Sequence, residues 1–162
     1  MEMLKFVNKS PNKNPAYADN GSSGFDLRAW IRDDDEGVQT NDNGENFISL
    51  KPLERRMIHT GLYFEIPLRL EIQVRPRSGM AIKKGLTVIN TPGTVDSSYT
   101  GECCLLMINL SNEDVLITSG ERIAQGVLSP VFVGGEVCLR EIEKIEKETE
   151  RGSGGFGHTG EK

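Results

Sequence analysis

LEIQVRP, residues 70–76, decides the fold: Leu70, Ile72 and Val74 alternate with Glu71, Gln73 and Arg75. That period of two gives an extended strand one apolar face and one polar face, and Pro76 ends it. Working outward, similar short apolar stretches recur at Leu4 to Asn8, Gly24 to Ala29, Arg55 to Glu65, Leu86 to Asn90, Glu102 to Asn109 and Ile123 to Phe132. Turns fall between them at TPG, LSNED and SGE, and a sustained helical period is nearly absent. The chain reads as all-β, a sandwich or barrel of jelly-roll type.

At 162 residues with a formal net charge of -5, this is one domain with room for a core but little for a deep pocket of its own, which favours oligomerisation. No basic stripe exists to neutralise many phosphates, so no nucleic-acid partner is expected, while a small polyphosphate ligand stays compatible. Cys103, Cys104 and Cys138 have no metal-ligand spacing and suggest reduced thiols in a cytoplasmic protein; zinc is not expected from them. The N-terminal MEMLKFVNKSPNKNP lacks a long apolar run, so neither a signal peptide nor a membrane partner is expected.

Two segments are read as solvated. Residues 32–46, rich in Asp, Asn and Gly, form an exposed acidic loop without the closing glutamate of an EF-hand. Residues 140–150 alternate Glu and Lys and read as a strand end followed by a linker, with a short amphipathic helix as the alternative. The glycine-rich RGSGGFGHTG, residues 151–160, cannot pack a core. It reads as a nucleotide lid in which backbone N–H groups and Arg151 meet phosphate and Phe156 stacks on a base. The bland alternative is a flexible solubilising tail. This divides the chain into a β domain over 1–139, a charged linker over 140–150 and a lid over 151–162.

Two further constellations carry chemistry. Pro76-Arg77-Ser78-Gly79 is read as a tight turn offering a guanidinium, a hydroxyl and free N–H groups to phosphate, although an ordinary turn would look the same. Residues 86–102 read as a hairpin about Thr91-Pro92-Gly93. There the Asn90 amide matches a pyrimidine edge, Tyr99 offers a ring to a sugar, and Asp96 sits partly buried as a general base, or else merely caps its own loop.

SSGFDLRA at 22–29, PRSG at 76–79, NTPGTVDSSYTGE at 90–102, GERIAQ at 120–125 and RGSGGFGHTG at 151–160 resemble, in order and spacing, the five motifs of trimeric dUTP pyrophosphatases. The resemblance implies a distorted jelly-roll, or β-clip barrel, assembled as a homotrimer with sites shared between subunits and a flexible C-terminal arm. It implies Mg2+-dependent hydrolysis of dUTP to dUMP and pyrophosphate by water attacking the α-phosphorus, which keeps uracil out of DNA and supplies dUMP for thymidylate synthesis. By the same resemblance, Asp96 activates the water, and Arg77, Ser78 and Gly79 form the phosphate turn. Asn90 reads uracil, while the backbone of Thr94, Val95 and Cys104 lines the base and sugar site. Tyr99 rejects a 2′-hydroxyl, Asp26 supports metal-bound water and Gln125 orders the phosphates. Arg151, Phe156, His158 and Thr159 belong to the closing lid. His158 stands where a serine is common in the family, and Ser98 where many relatives carry an acid.

Two rivals are weighed. A dCTP deaminase shares fold and phosphate turn but needs a glutamate beside Tyr99, where Thr100 stands; Glu102 is displaced along a strand by ~7 Å. A catalytically silent nucleotide binder is disfavoured by the intact Asp96, Tyr99 and tail.

Overall fold

A computed structural model describes residues 3–155. The strand read first is β7 (Leu70–Pro76), with Ile72 and Val74 buried and Arg75 exposed as its alternation requires. On one side it pairs with β12 (Arg122–Pro130), which also pairs with β2 (Phe25–Arg28); on the other it pairs with β9 (Gly93–Val95). All three pairings are antiparallel and make a four-stranded sheet in the order β2, β12, β7, β9. A second sheet orders β5 (Arg55–Ile58), β10 (Leu105–Asn109) and β8 (Leu86–Val88). A third joins β11 (Val115–Thr118), β4 (Asn46–Leu50) and β3 (Gln39–Thr40), and β1 (Lys5–Asn8) pairs with β6 (Leu62–Glu65).

The inner faces of these sheets share one core, in which Leu27, Leu50, Ile72, Leu86, Leu105, Met107, Ile117 and Ile123 have essentially no exposure. Each such side chain contributes about 1.5–3 kcal/mol of burial, so short strands joined by turns close into a stable unit only when they pool one interior. Thr60 and Asn109 are the buried polar side chains among the described residues, and Asn109 is fully satisfied. Its amide donates to the carbonyls of Leu50 and Glu113, and its carbonyl oxygen accepts from the N–H and hydroxyl of Ser111.

Several expectations change. The run from Arg55 to Glu65 is two strands, because Gly61 adopts φ 70° and the chain turns between β5 and β6. Residues 86–102 do not form a hairpin: β8 pairs with β10 and β9 with β7, so the two runs diverge into different sheets. The tight turn expected at Pro76 to Gly79 is instead the start of a helix, α1 (Ser78–Lys84). That helix stops at Gly85, whose φ of 63° only glycine takes without strain and where a Cβ would stand 2.9 Å from the Ser111 nitrogen. Strands β3, β4 and β11 lie outside the predicted runs, β3 and the first residue of β4 inside the expected loop 32–46. Residues 140–151 contain neither helix nor strand. Among the described residues no helix is long and apolar enough to cross a membrane.

Candidate active site

β12 carries a bulge between Arg122 and Ala124, beyond which Gln125 stands opposite Asp26 on one side and Arg75 on the other. A bulge re-aims the side chains around it, and here the residues of three distant motifs meet at one end of the sheet. Asp26 accepts from Arg77 Nε at 2.9 Å through Oδ1 and from Arg122 Nη1 at 3.1 Å through Oδ2. Arg77 also reaches the Arg122 carbonyl at 3.2 Å, and the Gln125 amide donates to the Pro76 carbonyl at 3.0 Å. Ser78 and Gly79 open α1, where backbone N–H groups precede the first intrahelical bonds, which run from Met80 and Ala81 to the Arg77 carbonyl. Two guanidiniums, a hydroxyl, an amide and free N–H donors therefore converge beside one carboxylate, a donor set suited to phosphate oxygens.

Arg122 was not among the residues picked out from the sequence. Its position inside GERIAQ was the available signal, but only the bulge shows that it shares Asp26 with Arg77.

The second group lies on the segment that follows β8. The Asn90 amide folds over buried Gly93, where a Cβ would stand 3.2 Å from Nδ2 and displace it. Tyr99 is 48% exposed, with its hydroxyl donating to the Glu102 carbonyl at 2.9 Å. Its ring lies over Gly101 so closely that a Cβ there would fall 2.5 Å from the hydroxyl oxygen, so a larger residue would push the ring from this position. The Tyr99 N–H donates to the Asp96 carbonyl at 3.1 Å, closing a turn that leaves Asp96 exposed rather than partly buried as expected. The reason is its place just past β9, the outer strand of its sheet.

The structure does not bring these two groups together around Asp96. Strand β9 runs antiparallel to β7 with Val95 opposite Ile72, so Asp96 leaves at the Glu71 end while Arg77 leaves at the Pro76 end. Five strand residues separate those ends, roughly 16 Å at 3.3 Å per residue.

Cys104 precedes β10, whose ladder with β8 continues through the Ile89 N–H to the Leu106 carbonyl at 2.9 Å, toward Asn90. Its side chain faces elsewhere, 3.7 Å from His59 Nδ1. Burial first, then the charge of Glu102, pushes this thiol up to about 11. The Glu102 carboxyl is held below the usual range. Burial raises it, but hydrogen bonds from the Gly61 N–H, the His59 ring and the Thr60 N–H outweigh that effect. Arg151 is exposed and donates to the Gly154 carbonyl at 2.8 Å. Phe156, His158 and Thr159 lie outside the described residues.

The dUTPase family model matches residues 45–160. A deoxyuridine 5′-triphosphate nucleotidohydrolase of Finegoldia magna is 47% identical over 157 residues, covering 97% of this chain and 98% of that protein. The protein of the same name from Caulobacter vibrioides is 50% identical over 146 residues, covering 90% of this chain and 84% of that protein. Among solved structures, a dUTPase mutant of Staphylococcus bacteriophage 80alpha with dUpNHpp superposes with a TM-score of 0.78 at 23% identity over 99% of both chains. A mutant dUTPase of phage phi11 of S. aureus, described with a structural Mg(II) ion, gives a TM-score of 0.71 at 20% identity, covering 90% of this chain and all of that one.

Proposed function

The chain belongs to the dUTPase family and hydrolyses dUTP to dUMP and pyrophosphate, and from that premise we propose a site shared between the subunits of a homotrimer in which Asp96 of one chain faces the phosphate cluster of another. The observation that carries this reading is the separation of Asp96 from Arg77 at opposite ends of β7. With those ends roughly 16 Å apart along the strand, in this reading the two groups around one triphosphate come from different chains. A row of exposed apolar side chains supports assembly: Met57 at 52%, Leu106 at 41% and Ile89 at 42% run side by side across β5, β10 and the extension of β8.

In this arrangement the Asp96 carboxylate takes a proton from water as the water oxygen bonds to the α-phosphorus, and the bond to the bridging oxygen breaks to release pyrophosphate. Arg77, Arg122, the Ser78 hydroxyl and the first N–H groups of α1 bind the phosphate oxygens and neutralise the charge that develops on them. Gln125 orders the same phosphates. Asn90 pairs with the uracil edge, the backbone of Thr94, Val95 and Cys104 forms the wall of the base and sugar site, and Tyr99 crowds a 2′-hydroxyl. Arg151, Phe156, His158 and Thr159 close over the bound nucleotide from the glycine-rich segment, and the enzyme works in the cytoplasm.

The donor set also fits Mg2+, which favours a few hard oxygens, keeps its waters and leans on substrate phosphates. Asp26 supplies such oxygens; both already accept from arginines, so a water-mediated contact suits it better than direct coordination. Bound with the triphosphate, Mg2+ would add charge neutralisation.

The decisive test mixes two disabled chains. Asp96→Asn should retain binding of dUpNHpp while pyrophosphate release falls by about 10²–10⁴-fold, and Arg77→Ala should be similarly poor in release. Co-refolded, they should recover activity, because some sites then combine Asp96 from one chain with Arg77 from another. A mixture as inactive as its components would reject the shared site, as would a fully active monomer.

A further inference from the structure

We propose that His59, Glu102 and Cys104 form a zinc-binding site separate from the phosphate cluster. The Nδ1, carboxylate and Sγ atoms of these residues all lie within 4.8 Å of one another. His59 Nδ1 stands 2.9 Å from Glu102 Oε2 and 3.7 Å from Cys104 Sγ. The cysteine spacing showed no such site, because the imidazole comes from the turn between β5 and β6, 43 residues before Glu102 in the chain.

The donors are prepared for a metal. Glu102 Oε1 is fixed by the N–H groups of Thr60 at 3.1 Å and Gly61 at 2.7 Å, which leaves Oε2 aimed at the histidine. His59 Nε2 faces Asp35 Oδ1 at 4.0 Å, placing a carboxylate behind the ring where metal-binding histidines usually have one. The His59 and Glu102 side chains are each 15% exposed, enough for an ion to enter and little enough to exclude bulk water. One imidazole, one carboxylate and one thiol suit Zn2+, with water as the fourth ligand, whereas the thiol disfavours Mg2+. On binding, the Cys104 S–H proton passes to solvent as the S–Zn bond forms, the proton that His59 Nδ1 shares with Glu102 moves to Nε2, which faces Asp35, and the His59–Glu102 hydrogen bond gives way to two coordinate bonds.

The test uses full-length protein stripped with chelator and carrying Cys138→Ser, since Cys138 is an exposed thiol that would compete. Equilibrium dialysis against Zn2+ should show one tightly held equivalent per chain, undiminished by excess Mg2+. Co2+ should bind at the same stoichiometry with a thiolate charge-transfer band in the near ultraviolet. Cys104→Ser should abolish that band and the tight equivalent, and His59→Gln should abolish the tight equivalent as an independent check should the first variant misfold. Asp35→Asn should weaken binding by about 10-fold. Zinc uptake that survives both Cys104→Ser and His59→Gln, or that needs millimolar Zn2+ in the parent, would overturn the site.

Discussion

The Tyr99 hydroxyl donates to the backbone carbonyl of Glu102 at 2.9 Å, so the ring assigned to the sugar is tied to the same residue whose carboxylate holds the turn between β5 and β6. Tyr99→Phe keeps the ring and removes that tie. A neutral hydrogen bond of this kind contributes about 1 kcal/mol net, so loosening the ring can lower the preference for dUTP over UTP by up to roughly fivefold. The ratio of kcat/KM for the two nucleotides measures it, and the melting temperature should fall by no more than the few degrees that about 1 kcal/mol represents. An unchanged ratio would remove the hydroxyl from any part in sugar selection.

Arg122 separates a structural ion pair from a functional one. It shares Asp26 with Arg77, and all three side chains are part-exposed, where such pairs contribute at most about 1 kcal/mol to stability. Arg122→Ala should therefore fold normally. If Arg122 also contacts triphosphate, kcat/KM for dUTP should fall by about 10-fold or more and depend less on ionic strength, since one charge-assisted contact is gone. Equal kinetics with reduced stability would make it a strut for Asp26 alone.

Leu106 tests assembly. At 41% exposure, Leu106→Glu should change the stability of an isolated chain by no more than about 0.5 kcal/mol. Buried between subunits, the same carboxylate would be desolvated without a partner, a cost of several kcal/mol. Light scattering should then show a smaller species with native circular dichroism and little pyrophosphate release. A variant that keeps its size and activity would move the interface away from the row Met57, Leu106, Ile89.

How far the sequence reveals this molecule follows from what periodicity encodes. The alternation of Leu70, Ile72 and Val74 states which face of β7 is buried, and the structure agrees at Ile72 and Val74. Alternation does not name a partner, so β8 and β9 look like one hairpin although each pairs with a strand distant in the chain. Helix α1 buries only Met80, too little to print a helical period, and is delimited by Arg77 and Gly85 instead. Strands β4 and β11 are short, and their inward residues Ile48 and Ile117 support each other only across the ladder that joins them. The five strings that carry the family resemblance are legible because each is local. The role of Arg122 and the meeting of His59, Glu102 and Cys104 depend on a bulge and a turn that bring remote residues together.

Glu102 couples the Tyr99 turn to pH. Although burial disfavours its charge, the Gly61 and Thr60 N–H groups and the His59 ring hold its folded-state pKa below the ordinary 4.5. A carboxyl depressed on folding stabilises the native state fully above its unfolded value, and that contribution disappears as pH falls through the folded one. In chelator-containing buffer the wild-type melting temperature should thus fall with a steeper acid limb below about pH 4.5 than that of Glu102→Gln, whose amide keeps an acceptor oxygen but carries no charge. At neutral pH the order reverses in meaning: the variant starts lower, because His59 loses its charged partner, and the two curves converge on acidification. Melting both proteins across that range gives the answer directly, and parallel curves would show that Glu102 takes no part in acid unfolding.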